Sequence, residues 1–215
     1  MKNEKLIDTI PHSFNYKNLF NNALNLYSVK KFHDSINICQ FILFNKPNDF
    51  DTLHLLGVNA NEVKSYEWAI SFLNKAIYIN PFIAELYLNI GVSFYNLKQL
   101  KQALASFDHA ISLKPELAEA YNNRGNALKD LRQLEAALTS YDKAISLKPD
   151  YAAAHNNRGN VLAKLKQLEA AVASYECALS LQPDFEYLYG MLVHTRMHLC
   201  DWKNLGSSIA QVLDK

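Results

Sequence analysis

Along most of the chain an apolar residue returns after three or four positions, as in Leu128, Leu131, Leu134, Leu138, Tyr141 and Ile145. That spacing lays one apolar stripe along a helix. It occurs in two blocks, and the pair of blocks then repeats at a fixed step. Prolines close each repeat: Pro47, Pro81, Pro115, Pro149 and Pro183 are evenly spaced, and only Pro11 falls outside the series. A proline lacks the amide donor that a helix interior needs and crowds the turn before it, so each marks the end of a second helix. Leu147-Lys148-Pro149-Asp150 accordingly reads as stop, turn and restart. No alternating run bounded by turn residues suggests a strand. The pattern predicts an all-α fold.

Other columns keep the same period. Glycine recurs at Gly57, Gly91, Gly125 and Gly159. Alanine recurs at Ala69, Ala103, Ala137 and Ala171, and again at Ala76, Ala110, Ala144 and Ala178. Large apolar residues fall in phase at Leu73, Phe107, Tyr141 and Tyr175. Gly125 and Ala137 lie on opposing helices, where missing bulk lets two backbones approach. One such pair cannot bury its apolar face, whereas stacked neighbours can.

Leu56-Gly57, Ala69, Leu73, Ala76 and Pro81, with their echoes, resemble the tetratricopeptide-repeat pattern. The resemblance tiles the chain as a lead-in over 1–15, five units at 16–49, 50–83, 84–117, 118–151 and 152–185, and a partial sixth unit or capping region over 186–215. The first unit is degenerate, with Asn22-Ala23 in the Leu-Gly position and Ser35 in the first alanine column. The sixth has Val193 and Leu205 at the glycine and alanine positions. Such a family implies a right-handed superhelix of antiparallel helix pairs. A final helix over Lys203 to Leu213, anchored by Trp202, is expected to cap it.

The same resemblance implies a protein or peptide partner held in a concave groove lined by the first helix of each pair. On that template the inward positions are Asn122, Asn123 and Asn126 in the fourth unit and Asn156, Asn157 and Asn160 in the fifth. Asn89 joins them from the third unit, and Asn21 from the first; Leu55 breaks the series. Asn89, Asn123 and Asn157 then form one column. An asparagine amide offers two donors and an acceptor, so it can pair with the N–H and C=O of an extended peptide whatever its side chains. Asparagine is also a poor helix former, so three in one helix suggest a use. The family's clamp for a chaperone's terminal carboxylate would need lysine at Phe20, His54, Leu88, Asn122 or Asn156. None is basic, and that mode is disfavoured. Arg124 and Arg158 replace the usual leucine before the glycine. They are expected to pair with acids such as Glu119 or Asp130, or to lie along apolar surface.

Past the repeats, Tyr189-Gly190-Met191-Leu192-Val193-His194-Thr195-Arg196-Met197-His198-Leu199-Cys200-Asp201-Trp202 resembles the junction that follows the repeats in bacterial O-linked N-acetylglucosamine transferase-type proteins. It implies an alternative function: the substrate-recruiting arm of such a glycosyltransferase, whose catalytic region is absent from this chain.

Charge and chemistry narrow the picture further. A net charge of +1 with mixed signs gives no electrostatic footprint for nucleic acid or an anionic membrane. No apolar run approaches a membrane span, and the expected location is the cytoplasm. Cys39, Cys177 and Cys200 read as reduced and mostly buried thiols, with Cys39 and Cys177 at or near the core column. His194 and His198 share one helix face near Cys200 and Asp201, but a closed zinc site needs further convergent ligands, so no metal is expected. There is no glycine-rich phosphate loop, no Gly-x-Ser-x-Gly elbow and no cofactor motif. His155, in place of Tyr121 of the unit before, is expected at an interface. The chain reads as a non-catalytic binding module, with self-association left open.

Overall fold

The structure, a computed structural model, describes residues 15–184 and 186–200. The expected lead-in up to residue 14, Trp202 and the helix over 203–213 lie outside the described residues. Among these are eleven helices and no strand. The chain divides into two compact units between Phe82 and Ile83. The first holds α1 (Tyr16–Ser28), α2 (Phe32–Asn45), α3 (Phe50–Glu62) and α4 (Tyr66–Ile79). The second holds α5 (Ala84–Asn96), α6 (Leu100–Leu113), α7 (Ala118–Asp130), α8 (Leu134–Leu147), α9 (Ala152–Lys164), α10 (Leu168–Leu181) and α11 (Glu186–His198). The odd-numbered helices open the pairs and the even-numbered ones close them.

The first helices end in a way that the residue types hide. Lys30, Lys64, Lys98, Arg132 and Lys166 follow α1, α3, α5, α7 and α9, each with φ between 60° and 64°. After α7 the Arg132 amide donates to Lys129 O at 3.0 Å and the Gln133 amide to Leu128 O at 2.9 Å. This pair of reversed bonds satisfies the last carbonyls of the helix and turns the chain into α8. Glycine usually fills such a left-handed position because a Cβ costs energy there. Here five basic side chains fill it, where a cation also sits well against the negative end of the helix dipole. Cys200, with φ 53°, repeats the geometry after α11.

In the pairs from α3–α4 to α9–α10 a glycine of the first helix sits against a large side chain of the second. A methyl on Gly125 would stand 2.6 Å from Tyr141 Cε1, and one on Gly159 would stand 2.5 Å from Tyr175 Cε1. Both rings are fully buried, each against bare helix backbone. In the second unit Leu128, Ala137, Tyr141 and Val161 form one cluster that joins α7, α8 and α9. Leu162, Tyr175, Ala178, Leu188 and Leu192 form the next, which holds α11. In the first unit Ala23, Ile36, Cys39, Leu55 and Leu56 form a cluster across α1, α2 and α3, and polar groups add to it. Ser35, in the alanine column, donates to Ala23 O at 2.8 Å and accepts from Asn59 Nδ2 at 3.0 Å, joining α1, α2 and α3.

One expectation fails here. Cys39 is buried, and burial pushes its thiol up to about 12. Cys177 and Cys200 are exposed. Cys177 repeats the position of Lys143 in the unit before, on a solvent-facing column of the second helix, rather than joining the column of Leu73 that Cys39 shares.

Gly159→Ala should lower stability by about 1–3 kcal/mol, because the Tyr175 ring has no room to retreat. Gly190→Ala should leave stability unchanged or raise it by up to about 1 kcal/mol, since nothing lies within 4 Å of the added methyl and a helix favours alanine. Lys166→Gly should raise it by about 0.5–1 kcal/mol by relieving the left-handed turn. Denaturant midpoints of the three variants check all of these.

Candidate functional site

Helix geometry sorts the seven candidate asparagines of the second unit. Gly125 abuts α8, and each residue turns about 100° around the axis. Asn123 therefore points about 160° away from α8, while Arg124 and Asn126 lie on opposite flanks. Asn122 falls on the same flank as Asn126, closer to the interior. The fifth unit repeats this with Gly159, and the third repeats it with Gly91 for Asn89 alone.

The contacts follow that division. Asn122 and Asn156 are buried, 4% and 6% exposed, and act as packing residues. Asn122 Oδ1 accepts from Asn157 Nδ2 at 3.0 Å, tying α7 to α9, and its own Nδ2 donates to Asn123 Oδ1 at 3.3 Å. Asn156 Nδ2 donates to the Tyr187 hydroxyl at 2.6 Å, tying α9 to α11. Asn126 and Asn160 accept from the hydroxyls of Tyr141 and Tyr175 at 2.8 and 3.0 Å. Those bonds satisfy the one polar atom of each buried ring. Burial drives both phenols above their ordinary range, Tyr175 to about 12. Asn89, Asn123 and Asn157 form a half-buried column on α5, α7 and α9.

The two arginines are structural, with partners other than those expected. Arg124 Nε donates to Asp108 Oδ1 at 2.7 Å and its Nη1 to Ser140 Oγ at 2.7 Å. Arg158 repeats both bonds with Asp142 and Ser174, at 2.6 and 2.7 Å. Each guanidinium thus bridges the second helix of the preceding pair to that of its own. Glu119 is not a partner, and Asp130 is engaged elsewhere: it accepts from the Tyr95 hydroxyl at 3.0 Å and lies 3.8 Å from Lys98 Nζ. The signal that would have found them is spacing. Acid, arginine and serine each stand 16 residues apart, the step from one helix to the next. Glu119 and Asp130, by contrast, lie on the arginine's own helix.

Burial lowers the Lys129 ammonium's pKa, opposed by Asp130 and reinforced by Lys164 and Lys98. His155 Nε2 lies 2.9 Å from Pro149 O, holding the turn before α9. Among the described residues no group of three or more His, Cys, Asp or Glu side chains could hold a metal ion, and no helix is long and apolar enough to cross a membrane.

Comparison with known proteins gives a consistent answer. A family model described as TPR repeat matches residues 93–132 and 125–166, and another described as tetratricopeptide repeat matches 152–185. The structure of PilF from Pseudomonas aeruginosa superposes with a TM-score of 0.80 at 16% identity, covering 92% of this chain and 90% of that one. TTC0263, a thermophilic TPR protein of Thermus thermophilus, gives 0.69 at 18% identity, covering 85% of this chain and 99% of that one. YrrB, described as a TPR protein with an unusual peptide-binding site, gives 0.63 at 22% identity, covering 80% of this chain and 89% of that one. At these identities the likeness is one of fold. No curated protein matches the chain in sequence. None of these names is that of a glycosyltransferase, and the junction over 189–202 gains no support from them.

Tyr175→Phe should cost about 1 kcal/mol at neutral pH through the lost bond to Asn160. It should also flatten the alkaline limb of stability. A phenol held up at about 12 in the fold and ordinary at 10.0 when unfolded stabilises fully below pH 10, and that contribution is lost as pH rises through 12. Urea titrations of both proteins across that range check the sign.

Proposed function

We propose that this chain, whose residues 93–185 carry tetratricopeptide repeats, is a protein-interaction module that holds an extended peptide or partner segment along α5, α7 and α9. The carrying observation is the column of Asn89, Asn123 and Asn157, set on the side of each helix opposite its glycine and half-buried. Asn122 braces two members at once, holding Asn157 at 3.0 Å and Asn123 at 3.3 Å. Amides fixed in this way lose less rotamer freedom when a ligand arrives. Asn123 keeps its two donors for a peptide carbonyl, and Asn157 keeps one donor and its acceptor. The fold likeness to YrrB, whose description names a peptide-binding site, supports the same reading.

Backbone pairing of this kind carries modest sequence preference, and each bond adds only about 0.5–1.5 kcal/mol net. Affinity then depends on several repeats engaging together. The module binds without turning its partner over. The glycosyltransferase-arm reading rests on the 189–202 resemblance alone, and no observation of the structure favours it.

A peptide selected by display against the immobilised chain serves as the probe. Asn123→Ala with Asn157→Ala should weaken its binding about thirtyfold, two lost bonds of about 1 kcal/mol each. Asn122→Ala, which removes the brace, should lower thermal stability as well as affinity. Unchanged affinity in the Asn123/Asn157 double variant, with the fold intact by circular dichroism, would sink the column as the binding surface.

A further inference from the structure

We propose that His194 and His198 form an open chelating site for a divalent transition-metal ion on α11, independent of the peptide surface. The two residues lie one helical turn apart and share a face. Both side chains are exposed. Their Nε2 atoms stand 3.3 Å apart, with ring centroids 4.5 Å apart and planes inclined at 70°.

That separation fits a metal better than it fits the contact the rings make with each other. As a hydrogen bond, 3.3 Å is at the long end of the range, and it requires one ring to donate while the other accepts. As the bite of a chelate, it meets the geometry of zinc. Two imidazole nitrogens at about 2.0–2.1 Å from a tetrahedral ion lie about 3.3 Å from each other. The donor ring must shift its proton from Nε2 to Nδ1 to present a second lone pair, and the two rings must turn slightly to bring both lone pairs onto one ion. Each Nε2 then faces the ion and each Nδ1–H faces water.

The backbone that carries the pair is held in place. Leu188, Leu192 and Thr195 are buried on the inner side of α11, and Tyr187 bonds to Asn156 of α9. Arg196, between the two histidines in sequence, pairs with Glu176 of α10. The histidines therefore sit on a docked helix whose i, i+4 spacing is set before any ion arrives. No third protein ligand converges among the described residues. The site is thus of the open kind, two imidazoles with the remaining positions taken by water or by a donor from a bound partner. Borderline ions that favour imidazole, Zn²⁺ and more strongly Cu²⁺, are the class it takes; Ca²⁺ and Mg²⁺, which need oxygen ligands, are not.

Calorimetric titration of the full, untagged chain with Zn²⁺ alone tests this. One equivalent should bind, Ca²⁺ should give no heat of binding, and His194→Gln or His198→Gln should each weaken zinc about tenfold or more. His109→Gln should leave binding unchanged. In the unaltered chain, zinc should shift the imidazole resonances of only two of the seven histidines, a readout that needs no variant. Zinc binding of equal strength in both glutamine variants, shifts spread over other histidines, or no binding at millimolar zinc would each overturn the site.

Discussion

The contact between a bare stretch of helix and a flat ring sets the geometry of every pair in the second unit. Phe107, Tyr141 and Tyr175 lie against Gly91, Gly125 and Gly159 so closely that even one added carbon would collide. With the ring seated there, the two helices of a pair have one depth of approach and one rotation about their axes. That rotation in turn decides which residues of the first helix face its partner, which reach neighbouring pairs and which are left outside. The arginine bridges, the buried amides and the open column are all consequences of where the glycine points. The tyrosines add one constraint that Phe107 lacks: a hydroxyl that must be satisfied in the interior, which Asn126 and Asn160 do.

The repeats and the helix pairs could be read from spacing alone, because a fixed period imposes the same environment at each recurrence; spacing set Gly125 opposite Ala137, whereas the ring of Tyr141 is what lies against it. The asparagines were legible as a group but not as individuals. Asn122 and Asn123 are adjacent and chemically identical, yet a turn of about 100° places one in the interior and the other on the surface. The arginine partners were hidden for a related reason. Asp108 and Ser140 are remote from Arg124 along the chain and close only once three helices are stacked. Cys177 shows the converse, since proximity to an apolar column is not membership of it. The left-handed turns were hidden, because their usual marker is glycine and here an in-phase column of basic residues fills them.

Regularity also shows where the units differ in character. The second unit repeats one set of bonds almost without change, as the paired values for Arg124 and Arg158 attest. The first instead replaces an alanine by Ser35 and joins three helices through its hydroxyl and the buried amide of Asn59. A serine in that column still fits because it is barely larger than alanine, and its polar atom is supplied with partners on both sides. Degeneracy in the sequence thus adds buried polar bonds to an apolar cluster that the first unit keeps.

The basic residues that close the first helices have a further effect. Lys98, Arg132 and Lys166 are exposed and recur at the same point of successive pairs, and Lys30 and Lys64 do so in the first unit. Each unit therefore carries cations at its inter-helix turns, at the edge where a repeat array could otherwise meet a neighbouring molecule side by side. Two copies brought together along that edge would set like charge against like charge, across groups whose positions the backbone fixes. A residue chosen for its place in a turn so acts as a colloidal safeguard, disfavouring lateral aggregation while leaving the asparagine column clear.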